Sequence, residues 1–290
     1  SLRDGFFAPE PAASQVQWRQ RRRFVTAVVL YLALGLATGV LAGLLGVGGG
    51  LLMVPMLVMM FSAQAGFPVG EILHMALGTS MAVILFTSLA SLRAHHRHGA
   101  VMWPVVLQIT PGILLGTALG TVCAAQVPTR PLAIFFTAFV CVVAVQMALN
   151  LKPKAARQLP GAFGVIGVGV GIGTVSALVA IGGGSLTVPF LTWCNVRMQQ
   201  AIGTSAAVGF PIALGGSLGY VFNGWGHAGL PEWSLGFVYL PAFALLVPAS
   251  MLTAPVGARL AHRLPVATLK RIFSCVLVSL AAKMLWGILG

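Results

Sequence analysis

Gly43-Leu-Leu-Gly-Val-Gly-Gly-Gly50, continued by Leu51-Leu-Met-Val-Pro55, sits inside sequence apolar enough for a bilayer yet cannot run on as an ordinary helix. Adjacent glycines forfeit backbone order, and the proline withdraws a backbone donor. The same break recurs as Ser176-Ala-Leu-Val-Ala-Ile-Gly-Gly-Gly184 with Ser185-Leu-Thr-Val-Pro189. Each copy is followed by a second motif, Ala76-Leu-Gly-Thr-Ser80 in the first case and Ala201-Ile-Gly-Thr-Ser205 in the second. An interruption that appears twice with the same companion is a selected feature of the fold.

Working outward, a single offset of 137 residues pairs Pro111 with Pro248, Gly120 with Gly257, Pro128 with Pro265 and Phe136 with Phe273. Matches that include proline and glycine do not come from apolar bias, so the chain is two homologous halves. The expected division is an N-terminal cytoplasmic lead over 1–23, a first transmembrane repeat over 24–150, a basic linker over 151–160 and a second repeat over 161–290. Within the first repeat the pattern predicts helices near 24–45, 76–92, 101–125 and 131–149, with a short broken piece at 51–61. The second repeat follows with helices near 161–181, 201–222, 233–260 and 268–289, and its short piece at 185–194.

The composition agrees. Hydrophobic residues make up 58% of the chain and charged residues 7%, and the mean hydropathy is +0.96, which excludes a water-soluble domain and a disordered chain alike. The fold class is an all-α polytopic membrane protein with four to five helices in each half and broken or re-entrant short helices at the Gly-Gly-Gly motifs. The net charge of +13 lies at segment ends and in short loops, which reads as positive-inside anchoring in a lipid bilayer and not as nucleic-acid binding. The run from Phe24 is too long for a signal peptide's apolar region and is expected to stay as the first helix. Cys123, Cys141, Cys194 and Cys275 have neither disulfide nor zinc spacing and read as packing residues, and no cofactor or metal motif is present.

Topology has more than one solution. Re-entrant short pieces give four crossings per half and parallel halves; crossing short pieces give five and inverted halves. Either leaves a basic loop on the outer side, and the inverted arrangement is preferred by analogy with broken-helix transporters.

A glycine run that frees backbone N–H groups ahead of a short helix is an anion site, because the amides point at the ligand and the helix dipole adds partial positive charge. Gly-Thr-Ser adds hydroxyls at or near the start of another helix, as caps or ligand donors. The candidate substrate-binding residues are therefore Gly48, Gly49, Gly50, Pro55, Gly78, Thr79 and Ser80 in the first half. Their second-half counterparts are Gly182, Gly183, Gly184, Ser185, Thr187, Pro189, Gly203, Thr204 and Ser205. His74 is the titratable group nearest this cradle and the candidate proton relay. A lone Gly-x-x-x-Gly such as Gly116 to Gly120 reads as helix packing.

Other clusters are read more plainly. His95, His96 and His98 beside Arg93 and Arg97 form a solvated basic loop, and Met53, Met56, Met59 and Met60 pack the core. The rival functions are a carrier of a soft metal or thiol compound through those methionines, and an intramembrane serine hydrolase using Ser80 or Ser205 with His74. A receptor that binds without flux is a further alternative. Only Asp4, Glu10, Glu71 and Glu232 are acidic and none lies mid-segment, which disfavours a pump with a buried carboxylate carrier.

At these residues the sequence resembles the TauE/SafE family of sulfite and organosulfonate exporters, from about residue 24 onward. The resemblance implies a non-enzymatic secondary carrier in a bacterial inner membrane, exporting a small sulfur-containing anion such as sulfite, sulfoacetate or another organosulfonate. Its partners are then that anion and the bilayer; a homodimer is left open. Ser185 and Thr187 replace Leu51 and Met53 of the first half, which places more ligand contact in the second. Arg197 is a candidate for attracting the anion first.

Overall fold

The computed structural model describes residues 12–45, 49–64, 66–149, 157–261 and 266–289. Gly48, most of the basic linker and the start of the lead lie outside them. The elements of the first half are α1 (Ala12–Leu45), α2 (Gly50–Ser62), α3 (Ile72–Arg97), α4 (Trp103–Gln126) and α5 (Thr129–Ala148). The second half repeats them as α6 (Ala162–Val179), α7 (Gly184–Trp193), α8 (Met198–Asn223), α9 (Leu240–Ala261) and α10 (Val266–Leu289). A two-stranded antiparallel hairpin, β1 (Ser234–Leu235) and β2 (Val238–Tyr239), precedes α9. Among the described residues, seven helices, in α1, α3, α4, α5, α6, α8 and α9, are long and apolar enough to cross a membrane.

The helix expected near 233–260 begins only at Leu240, because residues 234–239 form the β1–β2 hairpin, whereas three other helices start early, for one reason. α1 begins at Ala12, α3 at Ile72 and α8 at Met198, each earlier than its apolar run suggests. The added residues include Gln, Arg, Met, Leu and Ala, good helix formers with no breaker among them, so each helix extends back into the polar edge. At its far end α3 continues through Arg97, which makes His95 a helix residue, 1% exposed, and not part of a solvated loop.

The direction of each pass follows from which residues touch. Stripes of glycine let helix backbones meet: Gly112, Gly116 and Gly120 of α4 lie on the backbones at Ile166, Val170 and Thr174 of α6, so these two run parallel. Gly35, Gly39 and Gly43 of α1 lie in the same way on Leu246, Ser250 and Ala254 of α9. α3 and α8 are antiparallel, with Gly78 beside Tyr220, Met81 beside Gly216 and Ser88 beside Gly209. Gln64, just after α2, donates to the Tyr31 hydroxyl near the start of the apolar part of α1 at 3.0 Å, so α2 returns to the end from which α1 set out. Because α3 and its counterpart α8 run antiparallel, the second half is inverted relative to the first.

The halves interlock. The first helix of each packs along the fourth of the other, the third helices pack on each other, and α5 packs on α10. α3 is the most enclosed long span, with 83% of its apolar window buried. Leu73, Leu77 and Met81 belong to one continuous core with Met53, Leu57, Val208 and Ile212.

Candidate functional site

Both breaks are built alike. Gly49 caps α2 at φ 77° and Gly183 caps α7 at φ 83°, in the left-handed region that glycine enters without a Cβ penalty. No side chain caps either helix. The first intrahelical bonds run from the N–H groups of Leu52 and Met53 to the Gly49 carbonyl, and from Leu186 and Thr187 to the Gly183 carbonyl. The amides of Gly50 and Leu51, and of Gly184 and Ser185, precede those bonds and have no intrahelical acceptor. Pro55 and Pro189 lie inside α2 and α7, where they cannot donate to the carbonyls of Leu51 and Ser185.

The breaks meet. Gly50 lies directly on the carbonyl oxygen of Ala180, the last turn before the second break, and any Cβ there would overlap it. Ala180 itself holds φ 48°, a conformation costly for a residue with a side chain. A Cβ on Gly209 of α8 would lie 2.7 Å from the Gly182 carbonyl oxygen. Two long side chains hold the helices that lead into the breaks. Tyr220 donates its hydroxyl to the Ala177 carbonyl at 2.9 Å, and His95 places Nε2 3.4 Å from the Gly43 carbonyl, the equivalent position of the first half.

Gly-Thr-Ser sits two turns inside α3 and α8, not at their starts, so it caps neither helix. Gly78 and Gly203 let each helix touch the peptide before the fourth helix of the other half, at Phe237 and Ala100. Thr79 and Thr204 accept the backbone N–H groups of Tyr239 and Met102 there. Ser205 donates to the Ile202 carbonyl at 2.8 Å. Ser80 differs: it is fully buried and its hydroxyl has no protein partner.

Six further buried hydroxyls lack a protein partner among the described residues: Ser176 before the second break, Ser185 and Thr187 after it, and Ser91, Thr137 and Ser234 elsewhere. Leaving a buried hydroxyl unpaired is costly unless something else meets it. In the first half the positions of Ser185 and Thr187 are fully buried Leu51 and Met53, so the hydroxyls at the start of the short helix belong to the second half. Ser176 and Tyr220 were not singled out from the sequence.

His74 lies in the first turn of α3 and not in a loop. Its Nε2 is 3.0 Å from the Ala124 carbonyl and its Nδ1 3.2 Å from Glu71 Oε2, so neither nitrogen faces Ser80. Met53 and Met60 are buried in the core. All four cysteines are free. Arg197 is exposed at the start of α8.

Residues 31–284 match the family described as sulfite exporter TauE/SafE. The chain is 36% identical over 261 residues to a probable membrane transporter protein of Haemophilus influenzae, covering 89% of this chain and 98% of that protein. It is 24% identical over 239 residues to the probable membrane transporter protein YdhB of Bacillus subtilis, covering 80% of this chain and 89% of YdhB. A second Bacillus subtilis protein, the probable membrane transporter YunE, is 25% identical over 280 residues, covering 89% and 97% of the two chains. No solved structure matches the chain significantly.

Proposed function

The chain belongs to the sulfite exporter TauE/SafE family of multi-pass membrane transporters, and on that premise we propose that it is a secondary carrier of a small sulfur oxyanion or organosulfonate across a bacterial inner membrane, in the outward direction. The observation that supports the substrate class most is the contact of the two glycine breaks, Gly50 on the Ala180 carbonyl, each break being followed by an uncapped helix N-terminus, with the unpartnered hydroxyls of Ser185 and Thr187 in the first turn of α7. The two breaks offer hydrogen-bond donors and dipole ends, and neither motif, 43–55 or 176–189, contains a lysine or arginine. Such a site suits a monoanion that must also leave, since a full countercharge would hold it too tightly.

The roles divide by residue. The amides after Gly49 and Gly183 meet the anion's oxygens. Ser185 and Thr187 add hydroxyl donors at the second break, where the first break has the apolar Leu51 and Met53, and the unpartnered hydroxyls of Ser80 and Ser176 are further candidate donors. Thr79 and Thr204 have their oxygens occupied as acceptors and position the cradle.

The test is flux from proteoliposomes containing purified protein, with sulfite, sulfoacetate, taurine, thiosulfate and sulfate, each with and without a pH gradient. Saturable movement of a sulfur anion is expected. No movement of any of them, with folded protein shown in the vesicles, would overturn the substrate class.

A further inference from the structure

α3 and α4 are joined by residues 98–102, whereas their counterparts α8 and α9 are joined by residues 224–239. The longer connection folds back over the start of α3. In it, His227 places Nε2 3.3 Å from Glu71 Oε1, while the other Glu71 oxygen lies 3.2 Å from His74 Nδ1. One carboxylate from the first half is thus held between an imidazole of its own helix and an imidazole of the other half. Phe237 packs against both rings, with centroids 5.4 Å from His74 and 5.7 Å from His227.

The His74 geometry carries a proton requirement. Carbonyl oxygens only accept, so the contact to Ala124 needs the proton on Nε2. A neutral ring then turns the bare lone pair of Nδ1 toward a carboxylate oxygen, a repulsive contact inside a site where His74 is 4% exposed. A second proton, on Nδ1, converts this contact into an ion pair. At 3.2 Å it has the distance of one, with an angle short of a good hydrogen bond. Histidine is the side chain that makes this exchange between about pH 5 and 8.

We propose that Glu71, His74 and His227 form a proton-operated latch that ties the long connection of the second half to the start of α3 in the first. Protonation of the imidazoles closes it, and rising pH releases it. The facing groups are few. α4 contributes only the Ala124 carbonyl, and Thr129 at the start of α5 donates to the Gly70 carbonyl beside Glu71. Arg22, Arg130, Glu232 and Lys283 are the other charged side chains described at this end, all exposed.

The latch exists at one end only. At the positions equivalent to Glu71 and His74 the second half has Val196 and Gln199. In a carrier built from inverted halves, a lock at one end biases which end opens, a consequence that rests on the transporter reading.

The test measures the latch directly. Spin labels at Val69→Cys and Ala228→Cys, both exposed positions, are placed in a background with Cys123, Cys141, Cys194 and Cys275 replaced by serine. Electron–electron distance measurements in lipid nanodiscs are taken at about pH 6 and about pH 8. The expected result is a narrow short distance at the lower pH and a longer, broader distribution at the higher. Glu71→Gln and His227→Gln should remove the difference. His74→Gln should reduce it while still donating to Ala124. Identical distributions at the two pH values in the parent, or an undiminished shift in Glu71→Gln, would overturn the latch. No substrate is needed, so failed flux with a pH-dependent distance rejects the substrate class alone, and intact flux with a fixed distance rejects the latch alone.

Discussion

The hydroxyl of Thr79 accepts the backbone N–H of Tyr239 at 3.0 Å, so the residue just before α9 hangs from a helix of the other half. Thr204 takes the N–H of Met102 at 3.0 Å in the mirrored place, just before α4. These two bonds close the interlock reciprocally, at opposite ends of the molecule. Thr79→Val and Thr204→Val keep shape and strand a peptide N–H, at a cost of about 1–3 kcal/mol each. Lower thermal stability in detergent is expected for both, with near-wild-type values for Thr79→Ser and Thr204→Ser. Unchanged melting of both valine variants would show that the bonds are incidental.

Removing the orphan hydroxyls should have the opposite signature. Ser80→Ala and Thr187→Val delete buried polar atoms that no protein group satisfies, so stability should hold or rise. Anion affinity should fall by roughly tenfold or more, the equivalent of one lost hydrogen bond to a charged ligand. Calorimetric binding and melting curves on the same samples separate this from a folding defect. Ser205→Ala serves as the contrast, since Ser205 already bonds to Ile202.

The two capping glycines are not equally tolerant. A Cβ at Gly49 would lie 2.9 Å from the Thr38 carbonyl oxygen, a rigid backbone atom, whereas at Gly183 it would lie 2.9 Å from Cδ1 of Ile212, the tip of a side chain that can turn away. Both substitutions to alanine carry the left-handed backbone cost of about 1–2 kcal/mol. Gly49→Ala should therefore lower folded yield more than Gly183→Ala, as read by size-exclusion chromatography of membrane extracts. The reverse order would contradict the packing at Thr38.

Glycines of the Gly-Thr-Ser motifs should behave as packing residues first. A Cβ would lie 2.7 Å from the Phe237 carbonyl at Gly78 and 2.5 Å from the Ala100 carbonyl at Gly203, while at Gly70 it meets open space. Gly78→Ala and Gly203→Ala are expected to lose most folded protein and Gly70→Ala almost none, measured by the same chromatography. Full recovery of folded Gly203→Ala would remove the close approach of α8 to the α3–α4 connection.

Much of this fold was readable along the chain because its determinants are local or repeated. Glycine next to glycine, followed by proline, breaks a helix wherever it sits, so both caps at Gly49 and Gly183 could be located from sequence. A constant offset between prolines reports duplication without any coordinates. The helix starts at Ile72 and Met198 were missed because apolar runs mark membrane depth, whereas a helix ends only where a breaker or a turn stops it. For the same reason Gly-Thr-Ser was misplaced as a cap.

Contacts between distant parts of the chain were the work of tertiary structure. A lone threonine in an apolar helix carries no sign that its oxygen will take the N–H of Tyr239, and nothing near Glu71 announces His227. The inversion of the halves also lay beyond the sequence, because charge counts permitted more than one topology. It was decided by which helix faces could close on one another, parallel along the α1–α9 and α4–α6 glycine stripes and antiparallel between α3 and α8. Local chemistry thus dictated where the chain breaks, and the packing of interlocked halves dictated that Gly50 of one break would lie on Ala180 of the other.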